Sequence, residues 1–242
     1  MKTIIFDQTS LSDVIIIFFT QFNHLAATSL ILAFIIYILS KSNRVYLLDF
    51  TCFLAPDSDR LPISTFIEHT EFSGKYNTIS LDFQRKVVER SGIGNETCLP
   101  PGIHFLPFVY SLNATMEEVK TVFSLVKNLM TKHNINPRSI DILITNCSLT
   151  SPTPSLASLI INKFGLRSNV KSFNLSGMGC SAGILSISLA RDLLKVHKNS
   201  LALILSMESM SSNVYQGNVK SMLLANCLFR MGGAGILLSN KK

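Results

Sequence analysis

The stretch 170–196, VKSFNLSGMGCSAGILSISLARDLLKV, decides the fold. It opens on a short apolar run at 170–175 that reads as a strand, turns through Gly177 and Gly179, and continues from Cys180 into a helix reaching about Val196. A strand delivered into a helix by a glycine turn belongs to a sheet packed against helices. Within the helix, Ile184, Leu185, Ile187, Leu189, Leu193, Leu194 and Val196 leave almost no polar face over the first three turns. Protein is therefore expected all around it. Only from Arg191 onward do charges gather, and Arg191, Lys195, His197 and Lys198 suit the carboxyl end of a helix dipole.

Working outward, the same rhythm of helix and apolar strand recurs. Thr115 and Glu118 read as a T-x-x-E capping box before an amphipathic helix to about His133, with Val119, Val122, Phe123, Val126 and Leu129 at helical spacing and Asn136-Pro137 as its stop. The run 140–145 (IDILIT) suits a buried strand, and a polar turn with Pro152 and Pro154 follows. A helix over 155–164 is stopped by Gly165, and further strands are expected over 201–207 and 234–239. Together these elements imply an α/β fold with a largely buried sheet. The segment 45–107 is less regular, with turn signals at 55–57 and 73–74 and a Gly/Pro-rich stretch at 91–107. It reads as a cap with short helices near 64–69 and 79–89.

Composition separates the amino terminus from the rest. Of 242 residues, 47% are hydrophobic and 15% charged, and the mean hydropathy of +0.35 is more apolar than an ordinary soluble domain. Asp13 and Lys41 bracket a stretch free of charged residues, densest from Leu25 to Leu39. A span over about 21–40 is expected, because fifteen residues alone would cover only about 22 Å of a roughly 30 Å hydrocarbon core. The earlier run 14–19 (VIIIFF) either joins it in one long tilted helix or lies in the interface. Lys2 set against Asp7 and Asp13, with no small-x-small site, favours an anchor over a cleaved signal. Lys41 and Arg44 just past the span place the rest of the chain in the cytosol by the positive-inside rule. Residues 1–44 thus read as a membrane anchor and 45–242 as the working domain.

The net charge of +7 is scattered, with no run of four basic residues, which argues against a nucleic-acid partner and leaves an anionic leaflet or a phosphate-bearing acyl carrier as better matches. Five cysteines (Cys52, Cys98, Cys147, Cys180, Cys227) lack C-x-x-C spacing and histidines at ligand distance, so no metal site or disulfide framework is expected. Sequons at Asn95, Asn113, Asn146 and Asn174 would matter only in a lumenal domain, and Asn174 falls where burial is expected.

Chemistry points to Cys180. Gly177 and Gly179 permit a tight turn, Ser181, Ala182 and Gly183 keep the neighbourhood small, and a thiol at a helix amino end faces the positive pole and free N–H groups that favour its thiolate. Taken alone, a cysteine in an apolar chain is usually a small core residue, and Cys52, Cys98, Cys147 and Cys227 are read that way. Strand, glycine turn and helix together make Cys180 the candidate nucleophile.

The segment GMGCSAG, with 72–76 (FSGKY), 89–97 (ERSGIGNET) and 225–234 (ANCLFRMGGA), resembles the plant 3-ketoacyl-CoA synthases of fatty acid elongation, from about residue 24 onward. That family is similar to chalcone synthases and other thiolase-fold condensing enzymes. The resemblance implies the amino-terminal half of a thiolase-like fold preceded by a transmembrane helix. It implies an acyltransferase in the endoplasmic reticulum membrane facing the cytosol, with long-chain acyl-CoA and malonyl-CoA as substrates and no cofactor. A homodimer and elongase-complex partners are implied too. Cys180 would hold the acyl group as a thioester, and its own backbone N–H would serve the oxyanion. The family's histidine and asparagine would come from a second half beyond Lys242, and His24, His69, His104, His133 and His197 match neither. Val214 and Val219 stand where the family more often has an aromatic and an acidic residue. The other reading is a catalytically inactive, membrane-anchored partner that keeps the half-fold. A cysteine hydrolase would need a base and a more open, watered setting.

Overall fold

The structure, a computed structural model, describes residues 11–40, 44–54 and 56–241, with side chains over 20–37 and again from 44. Lys2, Asp7, Lys41, Ala55 and the side chain of Asp13 lie outside the described residues. The chain divides into two units at Asn43 and Arg44.

The described residues of the first unit form one helix, α1 (Leu11–Ser40), so both apolar runs belong to a single element. At 1.5 Å per residue it is about 45 Å long. The stretch Thr20–Tyr37 is long and apolar enough to cross a membrane. Two of its hydroxyls close onto the backbone: Thr28 Oγ1 donates to Leu25 O at 2.9 Å and Ser29 Oγ to Ala26 O at 2.8 Å. Polar groups closed onto the backbone are compatible with hydrocarbon.

The second unit is built on a five-stranded mixed sheet, order β1-β5-β4-β2-β3, from β1 (Tyr46–Cys52), β2 (Ile142–Asn146), β3 (Lys171–Leu175), β4 (Leu201–Glu208) and β5 (Gly232–Ser239). β2 pairs in parallel with β3 and β4, whereas β5 runs antiparallel to both β4 and β1. Strand alternation divides the core in two. Leu143, Leu203, Leu205 and Leu237 face α4 (Leu112–Lys132) and α5 (Leu156–Phe164), while Ile142, Ile144, Ala202, Ile204 and Leu238 face α6 (Ser181–Val196). The result is a three-layer α/β/α arrangement. Beside it, α2 (Ile63–Phe72), α3 (Thr78–Arg90) and α7 (Lys220–Leu228) enclose a smaller cluster of Phe66, Val88, Leu99 and Cys227.

Local signals explain most boundaries. Asn77 caps α3 by accepting from Ser80 N, Ser155 caps α5 through Ser158 N, and Gly165 ends α5 in the left-handed region at φ 63°. The expected helices at 64–69 and 79–89 correspond to α2 and α3, and the strand and helix expectations from 140 to 239 each meet an element. β1 and α7 were not expected from sequence.

Three expectations are corrected. The capping box at Thr115 and Glu118 does not form: Ser111 is the cap, accepting from Ala114 N at 3.1 Å, and α4 starts a turn earlier. Glu118 is instead buried, accepting from Ser209 Oγ, Met210 N and Ser211 N, so it ties α4 to the segment after β4. Nor is α6 enclosed. Ala182, Ser186, Ala190 and Leu194 pack on the sheet, but Ile184 is 73% exposed because no further layer lies on the outer face among the described residues. Finally, β3 is at the edge of the sheet, with Lys171 and Ser172 exposed and Asn174 half-buried, since among the described residues only β2 pairs with it.

Candidate active site

Residues at the carboxyl ends of the parallel strands form the site, because the pairing register brings Cys52, Ala234, Ser206, Asn146 and Leu175 into one row across the sheet. From Leu175 the chain turns through Gly177 (φ 72°) and Gly179 (φ 66°), a left-handed geometry that glycine adopts without a steric penalty. Cys180 follows as the cap of α6, with φ −64° and ψ −20°, and is exposed. Its backbone N–H has no acceptor among the described residues, whereas Ala182 N already donates to Gly179 O at 3.1 Å. An exposed thiol and a free N–H therefore share the helix head.

The floor beneath is polar and satisfied. Asn146, 5% exposed, accepts from Ser206 Oγ at 2.8 Å and donates through Nδ2 to Ser186 Oγ at 3.0 Å. Ser186 in turn donates to Ala182 O at 2.7 Å, so the network holds the first turn of α6 against β2 and β4. Burial of Asn146 also removes that sequon from the surface.

A second network braces the turn from the side. Glu208, at the end of β4, accepts from Cys147 Sγ at 3.0 Å, Ser148 N at 2.9 Å and Leu149 N at 2.8 Å. Ser148 Oγ then donates to Gly179 O at 3.2 Å, one residue before the candidate nucleophile. Thr145 Oγ1 donates to Asn174 Oδ1 at 2.7 Å, fixing the end of β3. The carboxylate thus sets the loop, and the loop sets the backbone at Gly179.

Cys180, Gly179, Asn146, Glu208, Arg230 and Gly233 are among the residues lining an open cleft of about 360 Å³. None of the histidines at 69, 104, 133 and 197 lines it: His104 meets Leu99 O, His133 meets Asp49, and His69 and His197 sit in and just after helices. His24 lies within α1.

The other cysteines differ in kind. Burial pushes the thiols of Cys98 and Cys147 up to about 12 and that of Cys227 to about 11, with the Glu208 carboxylate adding to the effect at Cys147. Such groups stay protonated and inert. Cys147 lies beside the site, as a neutral donor to Glu208. Cys52, expected as a core residue, is instead exposed on β1. Sequence reasoning also missed Asn146, Ser206 and Glu208 as parts of the site. The one available signal was a polar residue closing each apolar strand.

A family model described as FAE1/type III polyketide synthase-like protein matches residues 37–242. The chain is 53% identical over 225 residues to 3-ketoacyl-CoA synthase 7 of Arabidopsis thaliana, covering 93% of this chain and 49% of that protein. With 3-ketoacyl-CoA synthase 5 of the same plant it shares 50% over 222 residues, covering 90% and 45%. The chain spans about half the length of the curated relatives it matches. Among solved structures, the C-terminal type III polyketide synthase domain of Steely1 from Dictyostelium superposes with a TM-score of 0.69 at 15% identity, covering 81% of this chain and 56% of that one. A fungal type III polyketide synthase, ORAS, gives 0.67 at 15%, covering 81% and 55%. These likenesses show that the α/β unit has the fold of the matched part of the type III polyketide synthases, about half of each. By the family match and the identity to its plant relatives, the chain belongs to the FAE1/type III polyketide synthase-like family.

Proposed function

We propose that this chain carries the nucleophile-bearing part of a 3-ketoacyl-CoA synthase, with residues 1–44 as a membrane anchor and 45–242 as part of the condensing domain. The supporting observation is Cys180, exposed at the head of α6 in an open cleft and held by two satisfied hydrogen-bond networks. In the first step the Cys180 thiolate attacks the carbonyl of a long-chain acyl-CoA, the C–S bond to CoA breaks, and CoA leaves as its thiol after taking a proton. The free N–H of Cys180 faces the developing oxyanion. In the second step malonyl-CoA loses CO₂, and the resulting carbanion attacks the acyl thioester. A 3-ketoacyl-CoA two carbons longer is released, and Cys180 regains a proton.

No histidine lines the cleft among the described residues, and the family resemblance supplies the base and a second oxyanion donor as a histidine and an asparagine from elsewhere in the fold. In this reading residues 1–44 sit in the endoplasmic reticulum membrane and the condensing domain faces the cytosol, a side supported by Lys41 and Arg44 just past the apolar run. A homodimer and the other elongase enzymes are its partners.

Intact-mass analysis after incubation with a long-chain acyl-CoA is expected to show one acyl adduct on the native chain and none on Cys180→Ala. Acylation of Cys180→Ala at the same rate would overturn the assignment. A native chain that folds, takes no acyl group and still associates with a complete synthase would point to the non-catalytic partner.

A further inference from the structure

At the opposite end of the sheet lies a feature that the proposed reaction does not use. β1, β2, β3 and β4 all point the same way, so the row Leu47–Leu238–Ala202–Ile142–Lys171 marks the end remote from Cys180. There Asp141, Arg167, Lys171, His197, Lys198 and Ser200 help line an open cleft of about 400 Å³. Its single carboxylate is already occupied. Asp141 accepts from Leu201 N at 2.7 Å, pairs with Arg167 and lies 3.5 Å from Lys241 Nζ.

The cations around it are not occupied in the same way. Arg167 Nε is buried yet has no acceptor, while Lys171 and Lys198 are exposed and outside every ion pair among the described residues. Arg138, in the link between α4 and β2, and Arg44, where the chain enters this unit, are exposed at the same end. Three cationic side chains around a cleft, one with an unanswered N–H, match the charge and donor geometry of a phosphate.

We propose that this cleft binds the phosphate of an anionic phospholipid headgroup, so that the basic end of the sheet rests on a negatively charged bilayer surface with the Cys180 cleft turned away from it. The inference rests on the reading of α1 as an anchor. Charge complementarity and the entry of the chain at Arg44 argue for a bilayer as the occupant. In that orientation the reactive cysteine stays open to a CoA thioester arriving from the aqueous side.

The test uses the full chain in lipid nanodiscs of phosphatidylcholine with and without phosphatidic acid, followed by hydrogen exchange at 165–171, 197–201 and α1. Slower exchange at the first two segments is expected on the acidic discs only, and high salt should reverse it because screening shortens the reach of the charges. Replacing the exposed lysines, Lys171→Gln and Lys198→Gln, is expected to weaken the engagement about fivefold for each cation removed. Protection of α1 on both discs with no change at 165–171 and 197–201 would overturn the proposal while leaving the anchor intact. Loss of α1 protection on both discs would sink the anchor reading instead. Equal protection by inorganic phosphate on neutral discs would make the cleft a soluble-phosphate site and remove the bilayer from the account.

Discussion

Gly177 and Gly179 flank Met178 with φ of 72° and 66°, and this pair aims Cys180 into the cleft. A Cβ added at Gly179 would meet nothing within 4 Å, so the cost of Gly179→Ala is conformational, about 1–2 kcal/mol for an L-residue held in the left-handed region. The variant is expected to melt lower and to react more slowly at Cys180 with an alkylating reagent. Gly94→Ala, equally uncrowded and without a positive φ, should change neither. If both variants behaved alike, the turn would not be what positions the thiol. The same residue scale shows why Glu208 escaped a sequence reading. A lone acid after an apolar strand looks like a solvent-facing terminus, and only the return of the 147–149 loop supplies the donors that give it a role.

Among elements, α6 leaves part of its apolar pattern uncovered by the described residues. Apolar residues all around predict enclosure, yet small residues and Leu194 make the sheet contact while Ile184 and Val196 face outward. Leu194→Ala is expected to cost about 2–5 kcal/mol, as for a fully buried leucine, whereas Ile184→Ala should cost less than about 0.5 kcal/mol. Chemical denaturation of the full chain in detergent micelles measures both, and equal losses would mean that α6 does not lie on the sheet by its small-residue face. β1 and α7 were missed for a related reason. β1 is held by pairing with β5 far along the chain, and α7 has no side-chain cap and owes its helix to packing on α3. Neither cause is written in the local sequence.

For the molecule as a whole, three buried thiols set an alkaline limit. Cys98, Cys147 and Cys227 titrate at about 12, 12 and 11 in the fold, above the ordinary thiol near 8.5. A raised value means that the neutral form is favoured by folding. Its stabilising effect is complete below the unfolded value and is lost as pH climbs through the folded values. The melting temperature is therefore expected to hold up to about pH 8 and to fall steadily from about pH 9 toward 12. At pH 8, a thiol reagent should modify Cys52 and Cys180 alone; modification of Cys147 in folded protein would contradict its burial. The α/β alternation, the apolar helix, the glycine turn and the cysteine at the head of α6 are legible in the chain before any fold is known, because they depend on periodicity and on conformational preferences a few residues long. Strand order, the buried roles of Glu118, Asn146 and Glu208, and the basic end remote from Cys180 emerge only in the folded chain. Each of these depends on residues brought together from distant parts of the chain, where hydrogen-bond partners and charges meet only after the sheet has formed.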